Sequence, residues 1–184
     1  RKFDLQHNFP EMAGRDVVAY FNFDNVASRQ LTLKVALSAV STEGAIRNLQ
    51  HEAAGKSFEA LCEATKQQWD KELASVECEA TPDQKSMLYT SLYHTMINPS
   101  VYMDVDRQYR GLDGNIHRAE GFENYTIFSL WDTYRALHPL LMLLKPERNT
   151  DMVKSMLAHY RQSVHRLLPV WSLMGNEGWC ITGY

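Results

Sequence analysis

The spacing of apolar residues changes period once along the chain. In Leu31-Thr32-Leu33-Lys34-Val35-Ala36-Leu37-Ser38 alternate positions are apolar, the pattern of a strand with one buried and one wet face. Val17-Val18-Ala19-Tyr20-Phe21-Asn22-Phe23 is β-branched and aromatic and follows the turn signal Gly14-Arg15-Asp16, which predicts another strand. The polar stretch from Asp24 to Gln30 connects the two. Two strands cannot bury a sheet face by themselves. They need partners outside this chain, or they pack on its helical part.

After Thr42 the period becomes helical. Ala45 to Leu49 begins a short helix interrupted near Gly55. Phe58, Leu61, Cys62, Thr65, Trp69, Leu73 and Val76 then form one apolar stripe on a long helix capped by Ser57 and ending before Glu79-Ala80. Thr81-Pro82-Asp83-Gln84 is a start signal: Thr81 caps, Pro82 suits the first helical position, and Gln84 completes a capping box. That helix runs through Leu92 and Met96 to a stop at Asn98-Pro99.

A loop of about 25 residues comes next, Ser100 to Asn124, and loops of that length are commonly functional. Ser129-Leu130-Trp131-Asp132 opens a helix whose apolar residues run through Leu137, Leu140, Leu141 and Leu144 to Pro146. Thr150 caps another, with Met156, Leu157, Tyr160, Val164 and Leu167 on its stripe and its end at Pro169. Strands first and helices afterwards make an α+β chain that is mostly α, and argue for two domains or the junction between two.

Composition narrows this only a little. The chain has 184 residues, 45% apolar and 22% charged, enough for one sizeable core or two small ones. A formal net charge of -3 gives no reason to expect nucleic acid or an anionic membrane as partner. The run Leu140 to Leu144 is far too short to span a bilayer. The opening Arg1-Lys2-Phe3-Asp4 has no initiator Met and no signal peptide, as expected for a processed or truncated product. Cys62, Cys78 and Cys180 are too few and too scattered for a disulfide framework or a zinc site, and Cys62 is expected in the core.

Candidate chemistry lies in two places. At the helix start, Asp132 is either a capping-box carboxylate for Ser129 or, with Trp131, part of a cavity wall. In the second case the indole stacks on a sugar face and the acid accepts from vicinal hydroxyls. The other place is Gly175-Asn176-Glu177-Gly178-Trp179-Cys180-Ile181-Thr182-Gly183-Tyr184, which has no apolar periodicity and glycines that permit unusual backbone. Beside Trp179 and Ile181, desolvation would raise the pKa of Glu177, as a general acid requires. Asp104-Val105-Asp106 looks like the beginning of a calcium loop, but Asn115 stands where an EF-hand needs glutamate, so these acids are expected to be structural. Arg110 and Arg135 can pair with acids under any of these readings.

Several of these segments, in this order, resemble glycoside hydrolase family 92, bacterial exo-acting α-mannosidases that cut mainly α-1,2 linkages. They are Leu37-Ser38 through Ser41-Thr42-Glu43-Gly44-Ala45, Tyr89-Thr90-Ser91-Leu92-Tyr93-His94 before Asn98-Pro99, and Asp104-Val105-Asp106 with Tyr109-Arg110-Gly111. Phe128-Ser129-Leu130-Trp131-Asp132-Thr133-Tyr134-Arg135-Ala136 with His138-Pro139 continues the series, which ends in Gly175-Asn176-Glu177, Cys180 and Gly183-Tyr184.

The resemblance implies the end of an N-terminal β-sandwich over 1–42, linker helices over 43–80 and the first part of an (α/α)6 barrel over 81–184. It implies hydrolysis with inversion, in which an acid and a base stand about 6.5–9.5 Å apart. Glu177 falls on the family's general acid. Trp131, Asp132, Asn176 and Cys180 fall on mannose-binding positions. Calcium is the implied cofactor, holding the mannose O2 and O3 through ligands beyond this chain, and no metal ligand is assigned within it. The general base also lies beyond Tyr184, so the segment alone is expected to be inactive. The implied partners are a mannose-containing glycan and the remainder of the polypeptide, and the implied location is the periplasm or cell surface. Gly178-Trp179 is bulkier than the family pattern implies at that point, which bears on what sits beyond the terminal mannose. Two other readings stay open from the residues: a non-catalytic helical module binding carbohydrate or protein, and another (α/α)6 enzyme such as a disaccharide phosphorylase.

Overall fold

The computed structural model describes residues 15–16, 18, 20–23, 31–126, 128–163 and 166–168. The chain divides into two compact units, Arg1–Leu33 and Lys34–Tyr184. In the first, the described residues form neither helix nor strand, and the rings of Phe21 and Phe23 stack with centroids 6.4 Å apart.

The expected strands over 17–23 and 31–38 are not formed among the described residues. Leu33, Val35 and Leu37 are all exposed, Leu37 to 84%. The alternation is present, but among the described residues no neighbouring strand lies alongside to complete a ladder, and a strand has no stability of its own.

Side chains hold residues 34–41 instead. Lys34 Nζ donates to the carbonyls of Ala53 (2.7 Å) and Lys56 (3.0 Å), placing a cation at the end of α1 (Thr42–Ala53). The Ser38 hydroxyl accepts from the backbone N–H groups of Val40 and Ser41. Arg110 donates to the carbonyls of Ala39 and Val40.

The first helices start where local chemistry dictates. Ser41 caps α1 by accepting from Gly44 N at 3.0 Å, and Gly55 (φ 69) comes after it in a left-handed conformation that prevents continuation. Ser57 caps α2 (Phe58–Leu73), accepting from Ala60 N at 3.2 Å. Thr81 and Gln84 form the expected capping box of α3 (Pro82–Met96), with Pro82 in the first turn.

The stripe on α2 stays largely uncovered. None of its residues is buried, Phe58 is exposed, and Cys62, expected in the core, is exposed as well. α2 meets neighbours mainly through Trp69, whose ring lies 4.6 Å from that of Tyr93, and through a 2.7 Å ion pair between Glu72 and Lys145.

The long segment after α3 is folded rather than irregular. β2 (Gln108–Arg110) pairs antiparallel with β3 (Ile116–Arg118) around a turn closed by Gly111 N to Asn115 O at 2.8 Å. β1 (Ser100–Val101) pairs antiparallel with β4 (Tyr125–Thr126), bringing the ends of the segment together. These strands are two or three residues long, too short for sequence alternation to reveal.

The helix expected from Ser129 to Pro146 is two. α4 (Leu130–Thr133) ends in a turn at Tyr134 to Ala136, and α5 (Leu137–Leu144) begins afresh. Pro139 explains the break: it has no N–H to continue a helix from α4, but it is tolerated in the first turn of a new one. α6 (Pro146–Gln162) starts a turn before Thr150, with Pro146 leading, and the Thr150 hydroxyl donates back to the Pro146 carbonyl at 2.9 Å.

The described core is Tyr125, Phe128, Leu141, Met152 and Met156, so it lies between β4, α5 and α6. The described part is mostly helical with a few short strands. No helix in it is long and apolar enough to cross a membrane.

Candidate active site

β4 and α6 fix the backbone that leads into α4. Ser155 is fully buried on α6. Its Oγ accepts from Tyr125 N at 2.9 Å and lies 2.8 Å from the Asp151 carbonyl, to which its hydroxyl donates. The Tyr125 ring sits in the core while its hydroxyl donates to Glu123 Oε2 at 2.7 Å. Burial, helped by the Glu123 hydrogen bond, pushes the Tyr125 phenol up to about 12, so it stays protonated and donating. The Arg148 guanidinium lies 5.8 Å from the same ring.

α4 therefore rests on a rigid base. Ser129 is buried, and the backbone N–H groups of Asp132 and Thr133 both donate to its carbonyl. The Ser129 side chain makes no capping hydrogen bond, and its Oγ has no partner among the described residues. The capping-box arrangement open to Asp132 from sequence is thus not formed at Ser129. Asp132 stands exposed at the start of α4.

Trp131, beside it, is 45% exposed, and the Arg135 guanidinium lies 5.0 Å from its ring centroid and 5.4 Å from that of Tyr134. The guanidinium also donates to the Tyr134 hydroxyl at 3.2 Å. Arg135 thus braces the aromatic pair at the helix mouth through cation–π contact, a role that sequence spacing does not single out. An exposed carboxylate, an indole and a guanidinium at one helix mouth can bind a polyol by stacking and hydroxyl hydrogen bonds.

Asn176, Glu177 and Cys180 lie outside the described residues, so the candidate acid and the helix mouth are not seen together.

Asp104 and Asp106 are tied into the fold. Asp104 is buried and accepts from Ser38 Oγ at 2.6 Å and Asn48 Nδ2 at 2.9 Å. Asp106 accepts from Arg47 at 2.9 Å and from the Gln108 side chain at 3.1 Å. Among the described residues no three His, Cys, Asp or Glu side chains gather as a metal site.

A model of the glycosyl hydrolase family 92 catalytic domain matches residues 44–184, well over half of the chain. The chain belongs to that family. Among solved structures it is similar to the family GH92 alpha-mannosidase BT3965 from Bacteroides thetaiotaomicron, in complex with mannoimidazole and in a second structure. Both are 50% identical with a TM-score of 0.77 over 80% of this chain. It is also similar to the gh92 family glycosyl hydrolase ccman5, 29% identical with a TM-score of 0.63 over 68% of this chain. The matched regions are 19%, 20% and 17% of those three chains, so this chain spans roughly a fifth of their length. None of the curated proteins compared with the chain matches it.

Proposed function

We propose that the chain is part of an exo-acting α-mannosidase that hydrolyses terminal mannosidic linkages, mainly α-1,2, with inversion. The observation that carries this is the 50% identity over 80% of the chain to a structure described as an alpha-mannosidase bound to mannoimidazole. In this reading Glu177 is the general acid that protonates the departing glycosidic oxygen. Trp131 stacks on the terminal sugar, and Asp132, Asn176 and Cys180 contact its hydroxyls and ring. The general base lies on chain beyond this segment and activates water on the opposite face.

The same reading assigns residues 1–42 to the end of a β-sandwich, 43–80 to linker helices and 81–184 to the first part of an (α/α)6 barrel. The remainder of the polypeptide completes both domains. The enzyme works in the periplasm or at the cell surface on a mannose-containing glycan. Calcium belongs to the proposal with ligands outside this chain. The described residues do not fit the ion, because Asp104 and Asp106 already spend their oxygens on Ser38, Asn48, Arg47 and Gln108, and no step is assigned to it.

In the complete enzyme, Glu177→Gln is expected to lower kcat by about 10²–10⁴-fold on a mannoside with a poor leaving group, with mannose binding retained. A substrate whose leaving group needs no protonation recovers most of that loss. Unchanged turnover on both substrates overturns the role of Glu177.

A further inference from the structure

Helices α2, α3 and α6 meet around a small pocket of about 240 Å³. Gln68, Trp69 and Glu72 of α2 line it together with Met96 of α3 and Arg148 of α6. Gln68 and Trp69 stand four and three positions before Glu72, so all three share one face of α2. The apolar stripe accounts for Trp69 but not for the polar groups around it.

Those groups are held in place rather than tied up. The Trp69 ring packs 4.6 Å from that of Tyr93, and Met96 is buried. Arg148 lies 5.8 Å from the ring of buried Tyr125, and its Nε donates to the Tyr125 hydroxyl at 3.4 Å. Glu72 Oε2 accepts from Lys145 Nζ at 2.7 Å. Yet Arg148 and Glu72 make no ion pair with each other although both line the pocket. The Gln68 amide and the Trp69 indole N–H make no hydrogen bond among the described residues. Carboxylate lone pairs, guanidinium Nη donors and an amide thus converge on one cavity with capacity to spare.

This set selects its ligand by elimination. An anion on Arg148 would face the Glu72 carboxylate, and a purely apolar ligand would strand the polar groups. An ammonium would find in Glu72 a charge that Lys145 already neutralises. Hydroxyl groups suit every member, since one can donate to Glu72 while its neighbour accepts from Arg148. The indole offers the apolar surface on which a sugar's C–H face rests. The cavity is smaller than the range of about 300–1,000 Å³ for drug-sized ligands, which points to a single ring.

We propose that this pocket binds one neutral pyranose unit of a glycan, against Trp69 and between Glu72, Arg148 and Gln68. None of these residues belongs to the candidate site at the mouth of α4, so the pocket is a second carbohydrate site. The binding does not rest on the mannosidase reading. Within that reading, the pocket retains a glycan on the enzyme while the helix mouth works on a terminal mannose.

The test uses the complete enzyme labelled with 5-fluorotryptophan, its Trp69 and Trp131 ¹⁹F resonances assigned by Trp69→Phe and Trp131→Phe. Methyl α-mannoside, methyl α-glucoside and methyl β-galactoside are the probes, with acetate and serine as anion and zwitterion controls. At least one glycoside is expected to shift the Trp69 resonance saturably at millimolar concentration. Gln68 is exposed and unbonded, so Gln68→Ala is expected to leave Tm unchanged while weakening that glycoside about three- to tenfold. Its kcat/KM on a small aryl mannoside is expected to stay at the parent value. A Trp69 resonance that no glycoside moves overturns the proposal, as does one moved only by acetate or only by serine. Equal affinity in the parent and Gln68→Ala overturns it too. A mannoside that shifts Trp131 but not Trp69 defeats this pocket alone, whereas one that shifts Trp69 but not Trp131 supports it and counts against the helix mouth.

Discussion

Asn48, on α1, donates a 2.9 Å hydrogen bond to the buried carboxylate of Asp104, 56 residues away in sequence. The same amide donates to the Leu37 carbonyl at 3.0 Å, and its oxygen accepts from Val105 N at 2.9 Å. One side chain therefore ties together the segment before α1, the helix itself and the turn before β2. Removing it leaves a buried carboxylate short of a donor and two backbone groups without partners. Asn48→Ala is expected to cost about 3 kcal/mol of folding stability, measured by denaturant unfolding. A loss below about 1 kcal/mol would show that water replaces the amide.

Gly44 reports on the same junction from the other side. By helix propensity alone, Gly44→Ala in α1 should stabilise by about 1 kcal/mol. A β-carbon there would stand 2.7 Å from Ser38 Oγ and closer still to Asp104 Oδ2. Both atoms are held by hydrogen bonds, so neither can swing aside at low cost. The steric term wins, and the substitution is expected to destabilise by about 1–3 kcal/mol. Truncating the obstacle should change the sign of the argument: in an Asp104→Ala background the penalty of Gly44→Ala shrinks or disappears. Equal penalties in both backgrounds would show that the two sites do not couple.

The features legible in the sequence are mostly local. Ser57 and the Thr81–Gln84 capping box are signals contained in four residues, and the structure uses them as the sequence suggests. Pro139 and Pro146 mislead in a common way. Apolar spacing absorbs both into one helix, one in its interior and one at its end, whereas both occupy first turns of new helices. The positions over 31–38 fail for a different reason. Alternation records what a segment can bury, not whether a partner strand lies alongside. Cys62 obeys the same logic, since a stripe on α2 predicts a face without supplying what covers it. At the candidate site, Trp131 and Asp132 are legible as a motif. The bracing by Arg135 and the buried Nε2 of His138 depend on neighbours that only tertiary structure supplies.

The helix mouth permits a test that separates binding from folding. The Asp132 side chain is exposed and its position does not complete a cap, so Asp132→Ala should change stability by less than about 0.5 kcal/mol. In the complete enzyme the proposed function predicts a loss of about 10–100-fold in kcat/KM, the value of a hydrogen bond between a carboxylate and a sugar hydroxyl. Trp131→Ala should weaken mannose binding similarly, and it also removes the cation–π contact with Arg135. Binding of a mannose-like inhibitor, followed calorimetrically, checks both variants. Unaltered affinity in both would remove the helix mouth from the sugar site.

His159 gives the fold a pH dependence whose sign is fixed by burial. The side chain is buried on α6, and desolvation lowers its pKa from the ordinary 6.5 to about 4. Because the folded state resists protonation, the unfolded chain binds the extra proton between these two values. Stability is therefore full above about pH 6.5, declines as pH falls, and levels off below about pH 4 as the folded histidine also protonates. The contribution over that window is on the order of 3 kcal/mol. Glu72, held below its usual range by its hydrogen bond to Lys145, loses its contribution only once the pH falls below about 4.5, so the two effects separate. His159→Gln is expected to cost stability at neutral pH through lost packing and to flatten the slope between about pH 6.5 and 4.5. Denaturant unfolding of both proteins across that range gives the comparison, and an unchanged slope in the variant would show that His159 does not carry the dependence.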